Sequence, residues 1–525
     1  MNKIDLLQKT LVLLNRQSSA LDDEMRGLGQ LDITRQVVDF GQLEAARPAL
    51  EKLVHERELD FLLFAQNDQV LDKKNIGGTI RALRAGYSSF SGIDDSMYLS
   101  QTRQCLGDFI AGQANLDLPL GASLQSTWQP GSLGFSLIFD TEQMGGVRFG
   151  LPRILDLLET YRAPATFFVT GFVATIYPDL LPTLRDKGHS IGIHGQYHEY
   201  LSDLDLPTQI QRIKAEKERF ERHARVRGAN LIFRMNENTV EALVACGFDY
   251  FVVLMQHIYF PFAYRKMPVQ PLQVWTARGS IWMVPVSVET YNHPLIATRF
   301  AIDSAINQAR REQAPAVNVL THPFEIGSLR HIRALEKLLK YLQSHQSLEP
   351  ATIDHIIEHL PHPTPSAYIY VTLGDGLMAG YGGLPKNGLS NWQWHHFSKY
   401  WQRVGHLYTS LKRLGYTPAL CLSCPPNAPV FAVYPHLPDT PAEVVSVNLD
   451  PIAYDPSDRK LLSVLDQYAN GAANKIAAFS PGSLGEDVKG VYAALHPKRA
   501  SDWLGLLPEV TIWLVNRLTG SRRIF

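Results

Sequence analysis

RILDLLETYRAPATFFVTGF (153–172) and, after a short spacer, LPTLRDKGHSIGIHGQYHEYLSDL (181–204) decide the fold of this chain. The first run opens with apolar residues at helical spacing, and FGLPRILDLLETY reads as a helix that tolerates Pro152 in its first turn. ATFFVTG follows as a buried strand, PDLLPTLRDKG as a helix stopped at Gly188, and HSIGIHG as a strand running into a loop.

Working outward, the same alternation continues on both sides. GFSLIF (134–139) is a strand before the first helix. LPTQIQRIKAEKERFERHA is a long charged helix, ANLIFR a strand, ENTVEALVACG a helix and DYFVVL a strand. SIWMVPVSV (280–288), FAIDSAINQARREQ, AVNVLTH and SLRHIRALEKLLKYLQSH complete the unit as strand, helix, strand and helix. ATIDHIIEHL (351–360) is its last helix, and HPTPS (362–366) a Pro-rich linker. Strands that alternate with helices predict an α/β fold, a parallel sheet or barrel with helices outside. Such folds place their chemistry at the C-terminal ends of the strands.

Four strand ends carry residues suited to catalysis. IFDTEQ supplies Asp140 and Glu142, two apart and therefore on one side of an extended chain. HGQYH supplies His194 and His198. Two histidines and one carboxylate hold a cation while leaving positions open for water and substrate. IFRMNE supplies Arg234, a side chain able to orient a carboxylate through paired hydrogen bonds. VLTHPFE supplies His322. Each element alone is weak, because HxxxH pairs, strand-end acids and lone histidines are mostly structural. Their conjunction in one α/β unit is the signal.

With those residues in place, the stretch from Phe135 to about Leu342 resembles the polysaccharide deacetylases, the NodB-homology or carbohydrate-esterase-four group. Ala165, Thr166, Phe167, Phe168, Gly171, Gly188, His189, Gly192, His194 and His198 fall into the family pattern in order. The resemblance implies a NodB-type distorted (β/α) barrel. It also implies a metal-dependent hydrolase that removes an acyl group, acetyl above all, from an N-acylated amino sugar. Asp140 matches the general base, His194 and His198 the metal-binding histidines, Arg234 the arginine that holds the base, and His322 the general acid. The second of the family's two adjacent aspartates is replaced by Thr141, so the acid-x-acid subgroup is the better match, with Glu142 as metal ligand. The proline and aromatic residue expected after the arginine are Met235, Asn236 and Glu237 here. One divalent ion is implied: zinc suits the ligands, and cobalt, nickel or iron also fit. A backbone N–H near Tyr197–His198 is expected to complete an oxyanion hole. Two alternatives share the fold: a non-catalytic carbohydrate-binding or assembly protein, and a hydrolase of another non-peptide C–N bond.

The whole chain has 525 residues, enough for two to four domains. Residues 1–130 read as a mainly helical region, 131–362 as the deacetylase-like domain, and 367–525 as an accessory α/β domain. Within the last, IYVTLGDGLMAGYGG (369–383) faintly resembles the first block of the SGNH hydrolases, but Gly376 stands where the nucleophilic serine would be. A net charge of -1 gives no basic surface for nucleic acid. Four cysteines are too few for a disulfide scaffold. No apolar leader or run of 18 apolar residues is present, so the expectation is a soluble, cytoplasmic protein acting on a carbohydrate substrate.

Overall fold

A computed structural model describes residues 10–14, 34–38, 43–59, 61–65, 104–118, 121–196, 201, 204–231, 235, 237–253, 269–276, 278–290, 295–329, 331–345, 348–362, 365, 367–373, 408, 412, 417–422 and 443–449. Near the N-terminus, β1 (Thr10–Leu14), β2 (Thr34–Val37) and β3 (Phe61–Ala65) form a parallel sheet in the order β2-β1-β3, and α1 (Leu43–Glu56) lies between β2 and β3 in sequence. At these strands the structure departs from the mainly helical reading of residues 1–130. TLVLL is a short apolar run, and such a run fits a buried strand as well as a helix segment.

The central unit begins with β4 (Leu133–Thr141) and a π-helical turn (Gly146–Gly150) that leads into α2 (Leu151–Thr160). It continues through β5 (Ala165–Val169), α3 (Gly171–Ile176), α4 (Leu180–Asp186), β6 (Ser190–Ile193), α5 (Leu206–Glu221), β7 (Val226–Ala229), α6 (Glu237–Ala245) and β8 (Tyr250–Val253). β7 lies N-terminal to the strand expected at ANLIFR (229–234), overlaps it only at Ala229 and ends before Asn230. Then come β9 (Leu272–Thr276), β10 (Gly279–Pro285), β11 (Val288–Glu289), α7 (Leu295–Glu312), β12 (Ala316–Thr321), α8 (Pro323–Ile326), α9 (Ile332–Ser344), β13 (Leu348–Pro350) and α10 (Ile353–Glu358). Strands β4 to β8 pair in parallel, each with the next, and β12 pairs parallel to β4.

One continuous run, 279–289, closes this sheet. Its first half, β10, pairs parallel to β8, and its second half, β11, pairs parallel to β12. The switch sits at Val286 and Ser287: the Val286 N–H donates to Val253 O at 2.9 Å and the Ser287 N–H to Asn318 O at 2.9 Å. Asn318 secures the corner, donating from Nδ2 to Pro285 O at 2.9 Å and from its backbone N–H to Ser287 Oγ at 3.0 Å. The result is mixed α/β with a mostly parallel, barrel-like sheet.

Alternation along each strand sorts the side chains. Leu137, Phe139, Phe167, Val169, Ile191, Ile193, Val317 and Val319 face outward into a core shared with the surrounding helices, whose Ile154, Leu158, Leu184, Phe220, Ile302 and Leu339 meet them. Ile138, Phe168, Tyr250, Val252, Trp282, Val284 and Leu320 face inward and pack on Ile353 and Ile357 of α10, which plugs the lower barrel. Gly192 and Gly228 make room for that filling. A Cβ at Gly192 would lie 2.4 Å from the Phe168 ring, and one at Gly228 would lie 2.0 Å from the Tyr250 ring. Both pairs are cross-strand partners in register.

Beyond the barrel, β14 (Ala367–Leu373), β15 (Pro418–Leu422) and β16 (Glu443–Leu449) extend the same hydrogen-bonded sheet through β9, with Leu420 opposite Val274. The GDGLMAGYGG loop lies outside the described residues. Among the described residues no helix is long and apolar enough to cross a membrane.

Candidate active site

The inward parity that fills the lower barrel with apolar groups reaches the C-terminal rim two residues later. Ile138 is followed inward by Asp140, Gly192 by His194, Gly228 by Asn230 and Leu320 by His322. These side chains meet. His194 Nε2 lies 3.4 Å from Glu142 Oε2 and 4.0 Å from Asp140 Oδ2. His322 Nε2 lies 4.0 Å from the same Asp140 oxygen. Asp140 and His194 are buried. Four of the residues expected from the sequence are thus brought together, while His198 and Arg234 lie outside the described residues, as does the Tyr197–His198 turn.

Asn230 organises this set, and sequence reading missed it. Its Nδ2 donates to Asp140 Oδ1 at 2.7 Å. Its backbone carbonyl accepts from His194 Nδ1. With the Nδ1 proton committed to that carbonyl, Nε2 is the nitrogen offered to the pocket. The available signal was register: Asn230 sits two past Gly228 on the strand next to that of His194. Glu289, at the end of β11, is a second residue that no local motif marked. It is buried, and burial lifts its carboxyl well above the usual range, with the charges of Glu325 and Asp140 adding to the effect.

His322 follows β12 and stands at the N-cap position of α8, so the docking of α8 sets its place. The π-helical turn packs against that helix at its glycines, and a Cβ at Gly150 would come 2.3 Å from Pro323 O. π-Turns of this kind tend to sit beside functional sites.

The electrostatics favour a cation. Burial alone would depress the His194 pKa, but Asp140 and Glu142 outweigh it and raise the pKa to about 9. Burial raises the Asp140 carboxyl, against the opposing pull of His194 and His322. Two carboxylates converge on the His194 imidazole, an arrangement that suits a bound cation. Distance agrees with this. Two donors each about 2.1 Å from a tetrahedral ion lie about 3.4 Å apart, matching the separation of Glu142 Oε2 and His194 Nε2. Among the described residues no three His, Cys, Asp or Glu side chains are grouped to hold a metal ion; the third ligand implied by the sequence, His198, is not among them.

The polysaccharide deacetylase family matches residues 134–250, a span that contains Asp140, Glu142, His194 and Asn230. The peptidoglycan-N-acetylmuramic acid deacetylase PdaA of Bacillus subtilis is 41% identical over 60 residues, which cover 11% of this chain and 22% of that protein. The peptidoglycan-N-acetylglucosamine deacetylase of Bacillus cereus is 44% identical over 52 residues, 10% of this chain and 24% of that protein. The chain thus spans about a quarter or less of the length of these curated relatives. The solved structure of the peptidoglycan deacetylase PdaC from Bacillus subtilis aligns with a TM-score of 0.31 and 18% identity, over 44% of this chain and 92% of that one. Residues 134–250 of this chain are a polysaccharide deacetylase domain.

Proposed function

We propose that the chain is a divalent-metal-dependent hydrolase of the acid-x-acid subgroup that removes an acetyl group from an N-acylated amino sugar. The observation that carries this reading is the buried Asp140 flanked by His194 and His322, with Glu142 3.4 Å from His194. The names of the two curated relatives above, both peptidoglycan deacetylases, support the same substrate class.

Glu142 and His194, with His198, would hold the ion. When bound, the ion supplies Lewis acidity, lowering the pKa of water and polarising the acyl carbonyl. The remaining chemistry belongs to the side chains. Asp140, oriented by the Asn230 amide, accepts a proton from the attacking water as the new C–O bond forms. His322, on the other side of Asp140, gives a proton to the nitrogen as the C–N bond breaks, because an amide anion leaves poorly. The products are acetate and the free amine. Arg234 is assigned to holding Asp140 alongside Asn230.

The test is acetate release from N-acetylglucosamine oligomers by the zinc-loaded full chain. Wild type should release acetate, and His322→Ala should lower kcat by about 10²-fold or more, as loss of a general acid does. No acetate from wild type, or equal rates from the two proteins, would refute the assignment.

A further inference from the structure

Thr170 follows β5 in the sheet and precedes α3, and nothing above gives it a role. Its backbone is extended (φ -73°, ψ 144°). Its N–H donates to Thr141 O at 3.2 Å on one flank, while the His194 N–H donates to Val169 O at 3.0 Å on the other. The ladders of both neighbouring strands therefore continue through this residue. The parity of β5 is fixed below it: Thr166 accepts the Ile353 N–H of the plug helix at 3.0 Å, and Phe168 belongs to the inner core. Thr170 is the next inward position. The register Asp140 opposite Phe168, and Phe168 opposite Gly192, places it in one layer with Glu142 on β4's side and His194 on β6's side.

Its hydroxyl is unusual in two ways. A threonine at a helix N-cap normally accepts a backbone N–H from the first turn, yet the Thr170 side chain makes no capping bond. The residue is 1% exposed, and among the described residues Oγ1 has no hydrogen-bond partner. A buried hydroxyl left unsatisfied costs stability unless another state of the site uses it. Of the two side chains that flank it, His194 has its Nδ1 on the Asn230 carbonyl and its Nε2 toward Glu142. That leaves the Glu142 carboxylate as the acceptor within its layer.

We infer that Thr170 is a positioning residue whose hydroxyl donates to the Glu142 carboxylate when that group turns to ligate a divalent cation. A carboxylate bound through one oxygen keeps the other as an acceptor, and a donor fixed by the fold sets its orientation. The inference rests on the metal-dependent reading of the site.

The experiment is calorimetric titration of the full chain with zinc chloride, beside thermal melting of the metal-free protein, for wild type, Thr170→Val, Thr170→Ser and Thr170→Ala. Loss of the hydroxyl should weaken zinc binding by about 10–100-fold in Thr170→Val and Thr170→Ala. Thr170→Ser, which keeps the hydroxyl and loses the same methyl as alanine, should bind within about twofold of wild type. Metal-free Thr170→Val should melt no lower than wild type, because it removes an unsatisfied buried hydroxyl at constant shape. Wild-type zinc affinity in Thr170→Val, or equal weakening in the serine and alanine variants, would overturn the role of Thr170 and leave the metal reading standing. Absence of zinc binding in wild type would overturn both.

Discussion

The lower interior of the barrel and its C-terminal rim are built by the same strands on the same parity, yet they hold opposite chemistry. Below, Ile138, Phe168, Gly192, Gly228 and Leu320 pack with Tyr250, Val284 and the α10 plug into an apolar filling. Two residues further along each strand stand Asp140, Thr170, His194, Asn230 and His322. The change from apolar to polar takes place across one layer, about 7 Å of strand. The lower layer contributes burial and shape. The rim gathers charge that burial penalises, which a fold retains only if something else is gained. The two layers should therefore separate under mutation: changes below should move stability, and changes above should move activity or ion binding.

The largest separation is expected at Asp140. Asp140→Asn should reduce acetate release by about 10²–10⁴-fold, the usual cost of losing a general base, while the midpoint of urea unfolding stays at or above that of wild type. A large drop in that midpoint would return Asp140 to the structural layer. Phe168→Ala, one step down, should lower unfolding free energy by about 3–5 kcal/mol through the cavity it leaves between Gly192 and Tyr250. Denaturant melts would measure this, and a loss below about 1 kcal/mol would mean that the lower barrel is not close-packed.

Asp354 offers a pH test of the plug. It lies on α10 inside the barrel, where the Tyr250 hydroxyl donates to its Oδ1 at 2.6 Å. Burial lifts its carboxyl to about 6, against the pull of Tyr250 and Arg227. The folded protein therefore holds this proton more tightly than the unfolded chain. The associated stability is present below about pH 4 and is lost as pH rises through about 6. Asp354→Asn should remove that loss, gaining on the order of 2–3 kcal/mol relative to wild type between pH 4 and pH 7. A difference between the two proteins that stays flat with pH would contradict this account of the plug.

The smallest effect should separate two functions of one residue. Asn230→Ala removes the amide that holds Asp140 but keeps the carbonyl that accepts from His194. Turnover should fall about tenfold, the cost of one hydrogen bond to a charged group, with zinc affinity close to wild type. Equal losses in both would show that Asn230 acts on the site as a whole.

Much of the central unit was legible in the sequence because helical and strand periods alternate cleanly from 134 to 345 and because GH, HGQYH and IFDTEQ lie on single short segments. Asn230, Glu289 and Thr170 were not legible, since their roles arise from cross-strand register, which no local spacing records. The sheet closure at Val286–Ser287 was hidden for a related reason: one continuous apolar strand in the sequence serves two neighbours in space. ATIDHIIEHL was readable as a helix, but its position inside the barrel was not. TLVLL misled because four apolar residues after Thr10 carry no period long enough to distinguish strand from helix.

The central claim is that the rim binds one cation between strand ends that the lower barrel holds in register. Crystals of the full chain grown with zinc, with diffraction recorded on both sides of the zinc absorption edge, test it most directly. One strong anomalous peak is expected within about 2.3 Å of both His194 Nε2 and a Glu142 carboxylate oxygen. A structure in which zinc is bound elsewhere, or in which these two atoms point away from any shared ion, would contradict it.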